Sequence, residues 1–169
     1  MISLSKSELE AFNYLVRNYT ERLAVRQLAE KIGVTAPGLH AGLSKLEKAG
    51  LLVKHKLGSG LFYDISYDSH AARHLASYCL VISSLQTLPF ESTPHDIVIV
   101  RGKTILYVSD SHSQIQAPAG YSLLLQTTAE FSEKLRKRDA DVVGYLRDGS
   151  IVSGAQHLVH FLMEEKPRW

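Results

Sequence analysis

Nine charged residues between Arg22 and Lys56 carry the clearest chemistry in the sequence. Arg22, Arg26, Lys31, Lys45, Lys48, Lys54 and Lys56 stand against only Glu30 and Glu47, a local charge of +5. The whole chain of 169 residues totals +2, so everything outside that window sums to −3. A positive segment inside a near-neutral protein is what contact with a phosphate backbone requires. Histidines are the next candidates. His70 and His74 stand at i, i+4, and His157 and His160 at i, i+3, spacings that place two imidazoles on one helix face. Nothing in the pattern completes either pair as a metal site, and the eight histidines are expected on surfaces or interfaces. The single cysteine, Cys79, can form neither an internal disulfide nor a cysteine-rich zinc centre. No nucleophile elbow accompanies a Ser-His-Asp set. Arg136-Lys137-Arg138, flanked by Glu133 and Asp139, reads as a solvated helix face. No metal and no cofactor are expected.

These residues need elements to place them, and the pattern supplies an α+β chain. At 45% hydrophobic and 21% charged residues, the composition excludes a disordered tail, a low-complexity fibre and a supercharged coat. Ser7 with Glu10 has capping-box spacing, and Leu9, Phe12, Leu15, Val16 and Tyr19 follow at helical spacing, predicting a first helix over 7–19. Val25, Leu28, Ala29 and Ile32 mark a second, short helix ending at Gly33. Thr35 as N-cap and Pro37 in the first turn open a third, over 36–49, with Leu39, Leu43 and Leu46 inward and Gly50 as its stop. Residues 52–57 and 61–66 change to strand period around Gly58-Ser59-Gly60, a hairpin. Asp68 or Ser69 caps a fourth helix over 69–87.

A linker between Pro89 and Pro94 leads to a mixed α/β part. Ile97–Val100 and Thr104–Val108 read as a hairpin, and 110–120 as a loop. Tyr121–Thr127 reads as a buried strand and Thr128 as the cap of a helix running to about Arg147. Ile151-Val152 is a short strand, and Ala155–Glu164 a last helix. The expected division is 1–68, 69–88 and 95–169. The start of the chain lacks the pattern of a signal peptide, and its apolar runs are far below the roughly 20 residues that span a bilayer. A cytoplasmic protein with no membrane partner is the expectation.

The order helix, helix, tight turn, helix, hairpin belongs to the winged helix–turn–helix. The stretch Val25-Arg26-Gln27-Leu28-Ala29-Glu30-Lys31-Ile32-Gly33-Val34-Thr35, followed by Leu43-Ser44-Lys45-Leu46-Glu47-Lys48-Ala49-Gly50-Leu51-Leu52, resembles bacterial and archaeal winged-helix regulators of the MarR and ArsR type over residues 8–67. The resemblance implies a transcriptional regulator that binds double-stranded DNA, its third helix in the major groove and its hairpin as wing. With Leu39, Leu43 and Leu46 inward, Thr35, Ala36, Gly38, His40, Ala41, Ser44, Lys45 and Lys48 face out. Short residues there admit close backbone approach and polar ones meet bases and phosphates. Arg26 and, from the wing, Lys54, Lys56 and Ser59 complete the expected DNA-binding set. Relatives often carry arginine in the wing, and Gly58-Ser59-Gly60-Leu61 has none, so readout of DNA shape is expected to matter. Leu75, Cys79, Ile82 and Leu85 on the fourth helix are the expected homodimer contacts.

The closing half, with Leu123–Phe131 and Arg147-Asp148-Gly149-Ser150-Ile151-Val152-Ser153-Gly154, resembles small archaeal nucleotidyltransferase-like domains. The active site of that family needs a G-S loop for the triphosphate and a paired D-x-D on a strand for two Mg²⁺ ions, and the sequence carries neither. Ser109-Asp110-Ser111 offers one carboxylate, and Asp139-Ala140-Asp141 lies in or beside a helix, where i and i+2 diverge by about 200°. A degenerate domain without catalysis is expected. The alternatives are a protein-interaction adaptor, in which the winged helix binds protein, and an active nucleotidyltransferase.

Overall fold

The computed structural model describes residues 3–82, 92–93, 95–111 and 115–165. The chain divides into two compact units, Met1–Cys79 and Leu80–Trp169, so the boundary falls inside the fourth helix rather than on either side of it. No helix among the described residues is long and apolar enough to cross a membrane.

The first unit opens with α1, Lys6–Arg17. It starts before the predicted position because Ser5, not Ser7, is the N-cap. The Glu8 N–H donates to Ser5 Oγ at 3.3 Å and the Ser5 N–H donates to Glu8 Oε2 at 2.8 Å, a closed capping box. Ser7 and Glu10 have the same spacing, but Glu8 is the carboxylate that Lys45 reaches from far along the chain. The capping box and the tertiary ion pair thus share one carboxylate. Next come α2, Val25–Ile32, and α3, Ala36–Lys48. Gly33 ends α2 at φ +72°, a left-handed conformation that glycine adopts without penalty. Thr35 stands at the N-cap of α3 but its side chain makes no capping bond, and Pro37 lies in the first turn, as predicted.

The wing is β1, Leu52–Leu57, antiparallel to β2, Gly60–Ile65, in register from Leu52↔Ile65 to Leu57↔Gly60. That register leaves Gly58-Ser59 as a two-residue turn, with Gly58 at φ +59°. A single bridge from Ala24 to Phe62 ties the entrance of α2 to β2. Phe12, Val16, Leu28, Leu43, Leu46, Leu52 and Ile65 fill the core between helices and wing. Three helices and a hairpin in this order make a winged helix–turn–helix arrangement. The next element, α4, His70–Ile82, begins with Ser69 Oγ accepting the Ala72 N–H at 3.4 Å. The predicted continuation to 87, including Leu85, and most of the Pro89–Pro94 linker lie outside the described residues.

The second unit is a four-stranded sheet in the order β5-β4-β3-β6, from β3 (Ile97–Arg101), β4 (Thr104–Val108), β5 (Ser122–Gln126) and β6 (Ser150–Ser153). The β3–β4 hairpin is antiparallel, as predicted, whereas β4 and β5 run parallel. A parallel neighbour needs a crossover of about a dozen residues, and the segment between Val108 and Ser122 has that length. The strand predicted as buried is a sheet edge: Leu124 and Leu125 are 40% and 42% exposed. A continuous apolar run is the pattern of a doubly covered strand, and nothing in it distinguishes an edge that is left open. The long helix expected from Thr128 to Arg147 is two, α5 (Thr128–Lys137) and α6 (Ala140–Asp148). Arg138 breaks them in a left-handed conformation at φ 55°, and Asp139 caps α6. The chain closes with α7, Ala155–Glu165, in which Leu158, Val159 and Leu162 are buried.

Candidate nucleic-acid interface

The amino end of α3 is small and open. Thr35, Gly38, His40 and Ala41 are exposed there and Ala36 is half-buried, because Leu39 and Leu43 turn the opposite face into the core. The carboxyl end of α3 lies beside the wing. Tyr63 OH of β2 and Ser44 Oγ of α3 are 3.1 Å apart, and Lys54 Nζ of β1 is 3.9 Å from Glu47 Oε1. Lys48, Lys54 and Lys56 are exposed on these two neighbouring elements, with Ser59 exposed at the turn. Arg26 on α2 is exposed and pairs with Glu30 at 3.5 Å, a solvated i, i+4 contact worth little.

Two expected contacts behave differently. Ser44 is half-buried and its hydroxyl is engaged with Tyr63 rather than turned outward. Lys45 is exposed along its stem, but its ammonium turns back. Nζ donates to Glu8 Oε1 at 3.1 Å, to Glu8 Oε2 at 2.9 Å and to the Ser3 carbonyl at 2.6 Å. Burial raises the Glu8 pKa, but hydrogen bonds from the Ser5 N–H and from Lys45 outweigh it, and the net shift is downward. Gly42 belongs to the same contact, since a Cβ there would lie 2.9 Å from Glu8 Cγ. Glu8, Ser3, Gly42 and Tyr63 were not in the expected set. The one signal for Glu8 was an acid three residues after Ser5.

On α4, Cys79 is fully buried within the chain and cannot be a contact on an open face; Leu75 is half-buried. Ile82 is 47% exposed, and with it Tyr78 at 54% and Val81 at 45%. Burial pushes the Cys79 thiol up to about 11 against a smaller downward pull from Arg17.

The second unit uses its carboxylates internally. Asp139 Oδ1 accepts the N–H groups of Asp141 and Val142, both at 3.2 Å, as the cap of α6. Asp110 Oδ1 accepts from the Thr128 N–H at 3.0 Å and the Thr128 hydroxyl at 2.8 Å, tying the exit of β4 to the start of α5. Asp96, buried, accepts from the Thr93 N–H at 2.7 Å and from Tyr107 OH at 2.8 Å. His157 Nδ1 lies 2.6 Å from the His95 carbonyl, and His160 Nε2 is 3.1 Å from Glu164. Among the described residues no cluster of three or more His, Cys, Asp or Glu is arranged to hold a metal ion. In the Arg136-Lys137-Arg138 run, Lys137 pairs with Glu133 at 2.6 Å and Arg136 with Glu165 at 4.0 Å, and Arg138 is exposed.

No protein-family model matches the chain, and no curated protein matches it. Among solved structures, it is similar to the homodimeric winged helix–turn–helix DNA-binding domain of a possible ArsR-family transcriptional regulator from Mycobacterium bovis. The two are 20% identical, the match covers 53% of this chain and 79% of that one, and the TM-score is 0.41. At that score, the winged-helix assignment rests on the element order and packing described above.

Proposed function

We propose that the first unit binds double-stranded DNA, with α3 in the major groove and the β1–β2 wing along the neighbouring minor groove, and that the protein is a homodimeric transcriptional regulator in the cytoplasm. One observation carries this reading. The open, short-residue end of α3 and the exposed cations Lys48, Lys54 and Lys56 occupy two elements that touch through Lys54 and Glu47. Exposed cations on neighbouring elements are suited to phosphate contact, while short and small residues such as Thr35 and Gly38 let the backbone come close to base edges. Few of these groups read bases directly, so discrimination between sequences is modest and leans on DNA shape.

A salt-dependent gel shift with the full chain tests this. Wild type is expected to bind duplex DNA at low salt, and the Lys48→Ala/Lys54→Ala/Lys56→Ala triple variant to lose most of that binding. Absence of wild-type binding at low salt would sink the reading; an unaltered triple variant would move the interface elsewhere.

The second unit is proposed as non-catalytic, a module that completes the dimer or receives a signal. The support is that Asp139 is occupied as a helix cap and Asp110 by Thr128. Incubation with labelled nucleotides and Mg²⁺ should give no transfer.

A further inference from the structure

The cluster around Lys45 lies on the DNA-reading helix yet takes no part in the interface proposed above. We propose that Glu8 is a built-in counter-ion for α3: it withdraws Lys45 from the cations that meet phosphate and fixes the rotation of α3 about its own axis. Lys45 is then a positioning residue. This rests on the duplex-DNA reading of the same helix.

An ammonium has three N–H donors. Those of Lys45 have three acceptors in place, both oxygens of Glu8 and the Ser3 carbonyl, leaving none for a phosphate. The asymmetry of burial decides which partner wins. The Lys45 side chain is 49% exposed, but that of Glu8 is only 9% exposed. A lysine that swung out to a phosphate would leave a buried carboxylate without its cation, a far larger loss than an exposed pair would suffer. Glu8 cannot follow it, because the Ser5 N–H holds its Oε2 at 2.8 Å in the capping box of α1. The backbone of α3 rests on the same side chain at Gly42, where a Cβ would come within 2.9 Å of Glu8 Cγ. Two contacts one helical turn apart, at Gly42 and Lys45, therefore set the roll of α3 against α1. Lys48 is exposed and has no ion pair among the described residues, while Lys54 has only a solvated contact at 3.9 Å.

The test measures binding of the full chain to a short mixed-sequence duplex by anisotropy across a salt series, since each phosphate contact contributes about 0.9 to the slope of log K against log salt. Lys48→Gln should reduce the magnitude of the slope by about one contact. Lys45→Gln should leave the slope unchanged while lowering affinity roughly 3- to 10-fold at every salt concentration, as a lost positioning contact does. Glu8→Gln should steepen the slope by about one contact, because Lys45 is released. Lys45→Arg, which keeps the charge facing Glu8, should restore most of the affinity. A slope reduced by Lys45→Gln as much as by Lys48→Gln would overturn the proposal and leave DNA binding intact. Thermal melting of Glu8→Gln, Lys45→Gln and the double variant gives a readout without DNA. The double should melt close to the worse single, and fully additive losses would overturn the pairing. Failure of wild type to bind would fall on the DNA reading, while the melting cycle would still decide the pair.

Discussion

At the scale of single residues, Glu8 links the cap of α1 to the roll of α3, and its ionisation is a handle on stability. Its carboxyl is raised by burial, then lowered further by the Ser5 and Lys45 bonds, to a folded value below the ordinary 4.5. A carboxylate with a depressed folded pKa stabilises fully above its unfolded value and loses that contribution as pH falls through the folded one. Urea midpoints of wild type should therefore drop between about pH 5 and pH 3 more than those of Glu8→Gln, the two converging at the acid end. Identical acid profiles would show that the carboxylate contributes nothing. Cys79 makes a second case. It is fully buried and its thiol is pushed up to about 11, so a thiol reagent at pH 8 should leave the native protein unmodified and titrate one group after denaturation. Rapid reaction of the native protein would mean that the end of α4 opens, which would also undo its exclusion from the dimer face.

At the scale of elements, boundaries were readable where one residue type dictates the backbone, and unreadable where a distant partner or an unlikely residue does. Gly33 and Gly58 marked the end of α2 and the wing turn, and both have positive φ. Ser7 and Glu10 have capping-box spacing, but the box forms at Ser5 and Glu8, and Glu8 also pairs with Lys45, a partner that no local pattern includes. The break between α5 and α6 was hidden because Arg138, not glycine or proline, takes the left-handed conformation. Inward-facing Leu39, Leu43 and Leu46 imply that Ser44 and Lys45 face out, but not that Tyr63 and Glu8 engage their polar ends. Two substitutions check these element-level arguments. Arg138→Gly should raise stability by up to about 1 kcal/mol, because the left-handed conformation costs a non-glycine residue about that much. A clear loss in thermal melting would mean that the arginine side chain holds the corner. Gly42→Ala should fail to deliver the roughly 1 kcal/mol that alanine gains over glycine inside a helix, because the new Cβ meets Glu8. A full gain would show that α1 and α3 separate freely.

At the scale of the whole molecule, the segment over residues 22–56 has fewer available cations than its net charge suggests. The +5 over residues 22–56 includes Lys45, whose partner Glu8 lies outside the window, while the Lys54–Glu47 contact is already within the sum. On the duplex-DNA proposal, a single copy with that few available cations should bind weakly and with strong salt dependence, and tighter binding should need two copies presenting two α3 helices about 34 Å apart. The dimer proposal assigns that role to Tyr78, Val81 and Ile82 of α4, three large apolar side chains about half exposed at helical spacing. The full chain should then sediment near twice its 18.8 kDa mass at micromolar concentration. A Tyr78→Glu/Val81→Glu variant should sediment as a monomer, fold with unchanged circular dichroism, and bind a two-site duplex at least about tenfold more weakly while binding a single half-site as wild type does. The exposed β5 edge makes the competing prediction, because Leu124 and Leu125 sit on a strand with no charge or proline to prevent pairing with another chain. Leu124→Lys would abolish the dimer if that edge were the interface and leave it intact if α4 is. A dimer lost only with Leu124→Lys would transfer self-association to the second unit and make the spacing of the two reading helices a property of the sheet; a wild-type monomer at high micromolar concentration would remove the homodimer altogether.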